Sequence, residues 1–312
     1  MSTTKLENVI NRVHEMSINH FDETVAVKDM EFDSIKQMWV AGEKIEVMPS
    51  AQRLLANRLR VPFSYLERCP ENLQSVNLNY WIEEEQKNRD SLFCRFDGNK
   101  LRAVFTNRYE PIDHMEILSK MLEYGFQPDS EVQYQIDNEM LVVKLPEYGR
   151  AFDVQAKDTI VPGISFSNSE VGTLAFSIET YFFRLVCSNG LIVKAGVSNA
   201  RFKHISRKAL DHFSEILTDV ALNSQEKQNR LLISTQTSVQ NPSSTITAFN
   251  RQFNISKDIG DAVIQAWETD PVYTMFGIIN AYTHLAKASW LSAPEAYQLE
   301  KTGGMILALV KH

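Results

Sequence analysis

Apolar and polar positions follow a helical period over much of the chain. Near the N-terminus Leu6, Val9 and Val13 recur three or four residues apart, which predicts an amphipathic helix over 3–20. The same period predicts further helices at 50–59, 63–68, 73–85, 112–124, 212–222, 226–233, 256–268, 272–285 and from 293 onward. The stretch 234–247, rich in serine and threonine and interrupted by a proline, is predicted to be a loop.

The helix predicted at 73–85 carries large apolar residues that need a core to pack against. We expect Val76, Tyr80 and Trp81 to face inward from it. Consecutive carboxylates on a helix cannot all face one ligand, so the glutamates at 83–85 are interpreted as a solvated face rather than a cation site.

Between about 90 and 195 the pattern changes to short β-rich runs separated by polar turns. Three hairpins are predicted there, pairing 91–96 with 101–106, 131–136 with 140–145, and 163–168 with 174–179. The expected fold class is therefore α+β, with central antiparallel β-hairpins (about 90–195) flanked by N-terminal and C-terminal helices. We predict a mixed α+β core domain over 1–210 and a mainly helical C-terminal region over 211–312, packed on that core.

Composition narrows the class of protein. Hydrophobic residues make up 44% of the chain and charged residues 23%, which is typical of a folded protein. The N-terminus is polar, and no apolar run approaches the roughly 18 residues of a membrane span. Three scattered cysteines, Cys69, Cys94 and Cys187, indicate a reducing compartment rather than a disulfide framework. These features predict a cytoplasmic protein.

Charge is unevenly distributed along a chain whose net charge is −7. Residues 111–180 carry twelve acids and four bases, whereas 181–210 carry six bases and no acid. The six bases are Arg184, Lys194, Arg201, Lys203, Arg207 and Lys208. Phe202 lies among them, and cations beside an aromatic ring are typical of unspecific binding to single-stranded nucleic acid. The alternative is a solvated basic face that balances the acidic remainder.

Sequence signatures of catalysis and cofactor binding are missing. The chain has no glycine-rich dinucleotide or phosphate loop and no histidine pair at zinc spacing. Cys187 is followed by His204 and Asp211, but sequence order does not show a catalytic geometry, and a cysteine is commonly buried. We therefore assign no catalytic residue, metal or cofactor, and leave an unrecognised metal-dependent hydrolase open.

The segment 101–113 combines a strand with candidate binding residues. On a regular strand Arg102, Val104 and Thr106 share one face. Arg108 and Tyr109 then fall at the junction with the next helix, where a guanidinium and a ring can meet phosphate and base. In the alternative interpretation Tyr109 fills the core and Arg108 pairs with a nearby acid.

Arg184 interrupts an apolar run and is expected to be at least partly buried. A buried arginine needs a partner, for which Glu170, Glu179 and a bound anion are the candidates. A few residues later, Asn189-Gly190 is a turn signal between apolar runs.

Three ordered motifs resemble phage- and plasmid-like proteins grouped as domain of unknown function 932. The segment 107–113, Asn-Arg-Tyr-Glu-Pro-Ile-Asp, is similar to the family's D-R-Y-x-x-I-D element, with Asn107 in place of the usual acid. Residues 168–172 with 184–190, and the Asn-Ala-Tyr-Thr at 280–283, resemble two further elements. The resemblance spans about 50–310 and implies a mobile-element origin and a cytoplasmic place. It brings no settled activity.

From these observations we predict a phage- or plasmid-derived protein that binds nucleic acid, with single-stranded DNA binding or annealing in recombination as the favoured role. The predicted binding residues are Arg102, Arg108, Tyr109, Arg184, Lys194, Arg201, Phe202, Lys203, Arg207 and Lys208. The alternative is a non-enzymatic accessory protein whose acidic surface binds a host defence or replication protein. Homo-oligomerisation is left open, and no membrane partner is expected.

Overall fold

The computed structural model describes residues 2–185, 189–193, 201–202 and 208–310. The strands are β1 Ser2–Lys5, β2 His20–Ala26, β3 Met30–Phe32, β4 Gln37–Val40, β5 Glu43–Val47, β6 Ser91–Asp97, β7 Lys100–Phe105, β8 Glu131–Ile136, β9 Leu141–Pro146, β10 Phe152–Gln155, β11 Asp158–Asn168, β12 Phe176–Arg184, β13 Asn189–Val193 and β14 Arg201–Phe202. The helices are α1 Leu6–Ser17, α2 Pro49–Arg58, α3 Phe63–Leu66, α4 Glu71–Gln86, α5 His114–Glu123, α6 Lys208–Asp211, α7 Phe213–Leu222, α8 Ser224–Gln236, α9 Pro242–Gln252, α10 Lys257–Thr269, α11 Met275–Leu285 and α12 Ala293–Ala308.

A six-stranded sheet in the order β2-β6-β7-β5-β4-β3 forms the N-terminal part of the molecule. Its neighbouring strands are antiparallel except β5 and β7, which pair in parallel through Val47 and Leu101. Helices α2 and α4 bury Leu55, Leu78 and Ile82 in the same apolar cluster as the strands. The sheet therefore has one face closed by helices.

An eight-stranded sheet has helices on both faces. Its main order is β1-β8-β9-β11-β12-β13, with β10 beside β11 and β14 beside β12. Successive residues of a strand point to opposite faces. Val143 accordingly packs with helices α1, α5 and α7, whereas Val142 packs with Tyr297 of α12. Among the described residues, every helix is too short or too polar to serve as a membrane-spanning segment.

The predicted fold class is confirmed: the protein is α+β, and the three predicted hairpins form as β6–β7, β8–β9 and β11–β12. Four strands between 20 and 47 were not predicted. The sequence of β4 and β5 does show the alternation of apolar and polar residues that predicts strands. The alternate residues Met38, Val40, Ile45 and Val47 are buried.

Helix α4 forms, but the expected direction of its apolar residues is wrong. Val76, Tyr80 and Trp81 are 67%, 58% and 44% exposed. The helix instead buries Leu78, Ile82 and the polar Gln74. Gln74 can be buried because its amide donates to the carbonyls of Leu66 and Cys69 and accepts from the N–H of Ile35. The buried face of α4 thus includes a glutamine whose hydrogen bonds are made, and the larger apolar residues lie on the exposed face.

Most of the loop predicted at 234–247 is helical. Helix α8 continues to Gln236, and α9 begins at Pro242. Asn241 caps α9 by accepting the N–H of Ser244, and proline at the first helical position has the backbone angle that a helix needs. The hydroxyls of Thr245 and Thr247 donate to carbonyls four residues earlier, so these residues fit inside the helix.

The turn predicted at Asn189-Gly190 is also wrong. Both residues begin β13, where Gly190 pairs with Phe183 and Asn189 with Arg184. A β-carbon on Gly190 would lie 2.6 Å from the ring of Tyr181, so the strand needs glycine for close approach rather than for a turn.

Candidate functional site

A β-bulge in the six-stranded sheet sets the position of Arg102. Consecutive residues Arg95 and Phe96 of β6 pair with Ala103 and Leu101 of β7, which leaves Arg102 as the extra residue. The expectation that Arg102 shares a face with Val104 is therefore wrong. Val104 packs in the core under α2 and α4, whereas Arg102 reaches towards the loop that follows β11.

Arg102 is buried in an ion pair that joins the two sheets. Its Nη2 donates to Oε2 of Glu170 at 2.6 Å, and its Nη1 lies 2.9 Å from Nδ1 of His20. The other oxygen of Glu170 accepts the backbone N–H of His114 at 2.8 Å. The carboxylate and the guanidinium satisfy each other, so phosphate cannot reach Arg102 without breaking these bonds.

Arg95 is a second buried guanidinium in the same cluster. It donates to Asp22 at 2.9 Å, to Asp113, and to the backbone carbonyl of Glu170 at 3.2 Å. Asp113 also caps α5 in a reciprocal capping box with Glu116. Arg95 thereby ties the end of the 107–113 motif to the 168–172 motif, and we call the group of Arg95, Arg102, Asp113 and Glu170 the motif cluster.

The pKa values of Glu170 and of two histidines beside the motif cluster are shifted. Burial raises the pKa of Glu170, but the opposing charges of His114 and Arg102 and their hydrogen bonds outweigh it and lower the pKa to about 2. Burial lowers the pKa of His20, and the nearby Arg102 charge adds to that effect. Burial also lowers the pKa of His114. The carboxylate is therefore ionised. Burial favours the neutral form of both imidazoles, and a proton on His114, when present, adds to the charge of Arg102 in holding Glu170 ionised.

Tyr109 lies against the motif cluster rather than in solvent. Its ring stacks on that of Phe105 with centroids 3.8 Å apart, and its hydroxyl lies 3.3 Å from the carbonyl of Glu170. Burial raises the pKa of Tyr109. Gly172 has φ +81° and sits against the ring of Phe105, so the 168–172 loop covers the stacked rings. Arg108, between these rings in sequence, is exposed.

Arg184 is half-buried, and its carboxylate partner among the described residues is Asp158 rather than Glu170 or Glu179. Its Nε and Nη2 donate to the two oxygens of Asp158 at 2.7 and 2.8 Å. The guanidinium also lies over the ring of Phe276, 5.2 Å from the centroid. Phe276 lies on α11, the helix that carries the third motif at 280–283, so Arg184 links the second motif to that helix. Glu170 is engaged by Arg102, and Glu179 is paired with Lys301.

The remaining predicted binding residues, or their side chains, lie outside the described part of the chain. Lys194, Lys203 and Arg207 lie outside the described residues. The backbones of Arg201 and Phe202 form β14 beside β12, and Lys208 begins α6, but their side chains lie outside the part of the chain that the structure describes.

A groove missed from the sequence lies between α2, α4 and the end of β7. It has a volume of about 640 Å³, and its walls include Trp81 and Phe105. Three arginines, Arg58, Arg60 and Arg89, line the same groove. We call it the arginine–aromatic groove. Residues 51–110 carry ten bases and eight acids, and this small excess of positive charge could have indicated the groove. The prediction that Trp81 faces inward left its ring out of consideration as a binding residue.

Both carboxylates that line the groove are paired with cations, Glu85 with two arginines of the groove and Glu84 with a lysine outside its lining. Glu85 is paired with Arg58 at 3.3 Å and with Arg89 at 3.2 Å, and Glu84 is paired with Lys87. The Nε of Arg58 is buried and has no hydrogen-bond partner among the described residues. Arg60 is exposed and has a left-handed backbone with φ 57°. The groove therefore keeps a net positive charge beside two rings.

The described residues contain no group of three or more histidine, cysteine, aspartate or glutamate side chains able to hold a metal ion. Comparison with known families finds one match, to the model described as "Domain of unknown function (DUF932)", over residues 102–285. That range is more than half of the chain and contains all three motifs. Neither the curated proteins nor the solved structures contain a match.

Proposed function

This chain belongs to the DUF932 family, and from that premise we propose that it binds single-stranded nucleic acid along the arginine–aromatic groove. The observation that carries the proposal is one open depression that combines the exposed ring of Trp81 with the exposed Arg60 and Arg89. Phe105 and Arg58 complete its walls. Aromatic faces stack on unpaired bases of any sequence, and guanidinium groups follow the phosphates.

The exposure of the groove residues supports a single strand as the ligand. Trp81 is 44% exposed, and its neighbour Tyr80 is 58% exposed and meets it edge to face at 5.2 Å. Large rings left in water at this level are suited to a planar partner. A duplex hides its base faces inside the stack, whereas a single strand presents them to such rings.

The residues of the first two motifs hold one wall of the groove in place. Phe105 is a groove residue at the end of β7, and its ring is stacked on Tyr109 and covered by Gly172. Arg108 is exposed three residues after Phe105 and is the predicted binding residue that best fits this proposal. In this interpretation Arg102 and Tyr109 position the groove wall and do not contact the ligand.

The test is binding of a fluorescently labelled thymidine oligonucleotide, measured by anisotropy. Replacing Arg60 and Arg89 with alanine removes two cations and should weaken binding on the order of tenfold or more at low salt. Trp81→Ala should remove one stacking contact and weaken binding by roughly five- to a hundredfold, as loss of about 1–3 kcal/mol implies.

A matched control is available on α9 and α10. Arg251 and Lys257 are exposed cations away from the groove, and the double alanine variant removes the same charge. It should bind almost as well as the wild type. Equal weakening in both double variants would show that net charge alone drives binding, and would contradict the groove.

The cellular setting is part of the same proposal. The three motifs support a phage- or plasmid-derived protein that acts in the cytoplasm, with single-strand binding or annealing in recombination as its role. Sequence-tolerant stacking suits such a role, because an annealing protein must accept any strand.

One observation favours a second candidate, a docking face for a basic protein partner. Leu73, Val76 and Tyr80 form an exposed stripe on α4, at 40%, 67% and 58% exposure. Glu71 and Glu83 are exposed on the same helix, so a basic amphipathic helix would be complementary in both apolarity and charge. A synthetic leucine–lysine helical peptide should bind the wild type and not Val76→Glu, and a leucine–glutamate peptide should bind neither.

A further inference from the structure

A second cavity lies on the side of the motif cluster that faces α1. It has a volume of about 210 Å³, and its polar wall includes His20, Asp97, Arg102, His114 and Glu170. Arg102 and Glu170 satisfy each other, so the groups of this wall left to meet a ligand are the two imidazoles and the Asp97 carboxylate. Four further polar residues complete the lining: Arg12, Ser17, Asp137 and Asn138.

The hydrogen bond of His20 fixes its tautomer. A guanidinium has donors only, so the Nδ1 that lies 2.9 Å from Nη1 of Arg102 must be an acceptor. The ring hydrogen is then on Nε2, and no described residue accepts a hydrogen bond from it. His20 presents an N–H donor.

His114 is fixed in the same tautomer by Asn168. The amide nitrogen of Asn168 lies 2.9 Å from the carbonyl of Ile112 and 3.1 Å from Nδ1 of His114. Exchanging the amide oxygen and nitrogen would place two oxygens in contact, so the nitrogen donates both bonds. His114 therefore also carries its hydrogen on Nε2, and no described residue accepts from that atom.

Asp97 supplies an acceptor on the same wall. It ends β6, and its carboxylate makes no hydrogen bond or ion pair with a described residue. The carboxylates of the motif cluster, in contrast, are held in ion pairs, as Glu170 is with Arg102. The cavity thus combines one unoccupied carboxylate with two N–H donors.

Apolar residues on the rest of the lining suit a flat ring. Val13 and Met16 of α1, Met48 and Ile136 line the cavity around the polar groups. Methionine adapts its shape to ring faces, and its sulfur makes favourable contacts with aromatic systems. Ligand sites commonly combine apolar walls with a few converging polar groups.

We propose that this cavity binds a guanine base, with Asp97 accepting from N1–H and the exocyclic amino group and with His20 and His114 donating to O6. Guanine is the base that offers two adjacent donors beside an acceptor on its Watson–Crick edge. Adenine offers a single donor and, at N1, an acceptor where guanine has a donor, and pyrimidines provide a single smaller ring. The base comes either from a free nucleoside or from a guanosine in a strand, and its recognition is the same in both cases.

The test is calorimetric titration of the full chain with guanosine, adenosine and cytidine. Guanosine should bind at least tenfold more tightly than the other two. Asp97→Asn replaces one acceptor by a donor and should weaken guanosine binding on the order of tenfold to a hundredfold. Met16→Trp fills the cavity without changing its polar groups, and should also abolish binding.

Asp129→Asn is the matched control, because Asp129 is an exposed carboxylate outside the cavity. It should leave guanosine binding unchanged, and circular dichroism should show all variants folded. No guanosine binding by the wild type, equal binding of adenosine, or unchanged binding in Asp97→Asn and Met16→Trp would each overturn the proposal.

A second arm separates the two sources of the base. A thymidine pentanucleotide with one central guanosine should compete with guanosine if bases of a strand enter the cavity, and an all-thymidine pentanucleotide should not. Failure of both pentanucleotides with binding of guanosine retained assigns the cavity to a free nucleoside. The Arg60 and Arg89 variants should bind guanosine normally, so failure of the groove proposal is distinguishable from failure of this one.

Discussion

Arg102 of the six-stranded sheet and Glu170 of the loop after β11 form a direct ion pair, with Nη2 and Oε2 2.6 Å apart and both side chains at most 7% exposed. The pair joins the two sheets at the point where two sequence motifs meet. Because each group is buried, each depends on the other for its charge to be tolerated.

Removing one member of this pair should be costly. We expect Arg102→Met to lower the free energy of unfolding by about 3–5 kcal/mol, because Glu170 is left buried without its cation. The double variant with Glu170→Gln should recover part of that loss, since no lone charge remains. Urea unfolding of the three variants measures this, and a double variant less stable than Arg102→Met would contradict the coupling.

The buried Glu170 carboxylate, held by the charges of His114 and Arg102, makes stability dependent on pH in the acid range. The pKa of Glu170 is lowered from 4.5 to about 2, so its stabilising contribution is present above pH 4.5 and is lost as the pH falls towards 2. The full loss is about 3 kcal/mol at about 1.4 kcal/mol for each pKa unit. Unfolding measured between pH 5 and 2 should show a shallower decline in Glu170→Gln than in the wild type. Parallel curves would rule out this role.

Gly172 should be intolerant of a side chain. Its φ of +81° is unfavourable for other residues, and an added β-carbon would lie 2.8 Å from the ring of Phe105. We expect Gly172→Ala to destabilise the protein by about 1–3 kcal/mol. Gly149→Ala is the control, since a β-carbon added there would meet nothing within 4 Å and its φ is not left-handed. Equal melting temperatures for the two variants would contradict this interpretation.

Arg184 should stabilise the fold through Asp158 and Phe276. Its side chain is 17% exposed, so we expect Arg184→Ala to cost about 2 kcal/mol, less than a fully buried pair. Arg184→Lys keeps the charge but loses the two-pronged bond to Asp158, and should be intermediate. Thermal unfolding orders the three proteins, and an unchanged melting temperature in Arg184→Ala would show that the contact contributes nothing.

The hairpins could be predicted from the sequence because each has a polar turn between β-rich runs. The outward direction of the apolar residues on α4 could not be predicted, because nothing in the helix sequence shows that Gln74 finds three backbone partners. Those partners come from other segments of the chain.

Site residues were recovered unevenly for the same reason. Arg102, Tyr109 and Arg184 were predicted as binding residues from their own segments, whereas the partners they contact depend on a bulge and on strands far apart in sequence. Trp81 lies on α4 and Arg89 just beyond its end, whereas Arg60 follows α2, so only the folded chain brings Arg60 to the other two. Spacing within one segment cannot report such a groove.

The most direct measurement of the central claim is the salt dependence of single-strand binding. Neutralising a phosphate on a single strand contributes a slope of roughly −0.7 in log K against log salt. The arginine–aromatic groove predicts a slope about 1.4 shallower when Arg60 and Arg89 are both alanine, and an unchanged slope for the Arg251 and Lys257 variant. Binding whose slope is the same in the wild type and the Arg60 and Arg89 variant would contradict the claim.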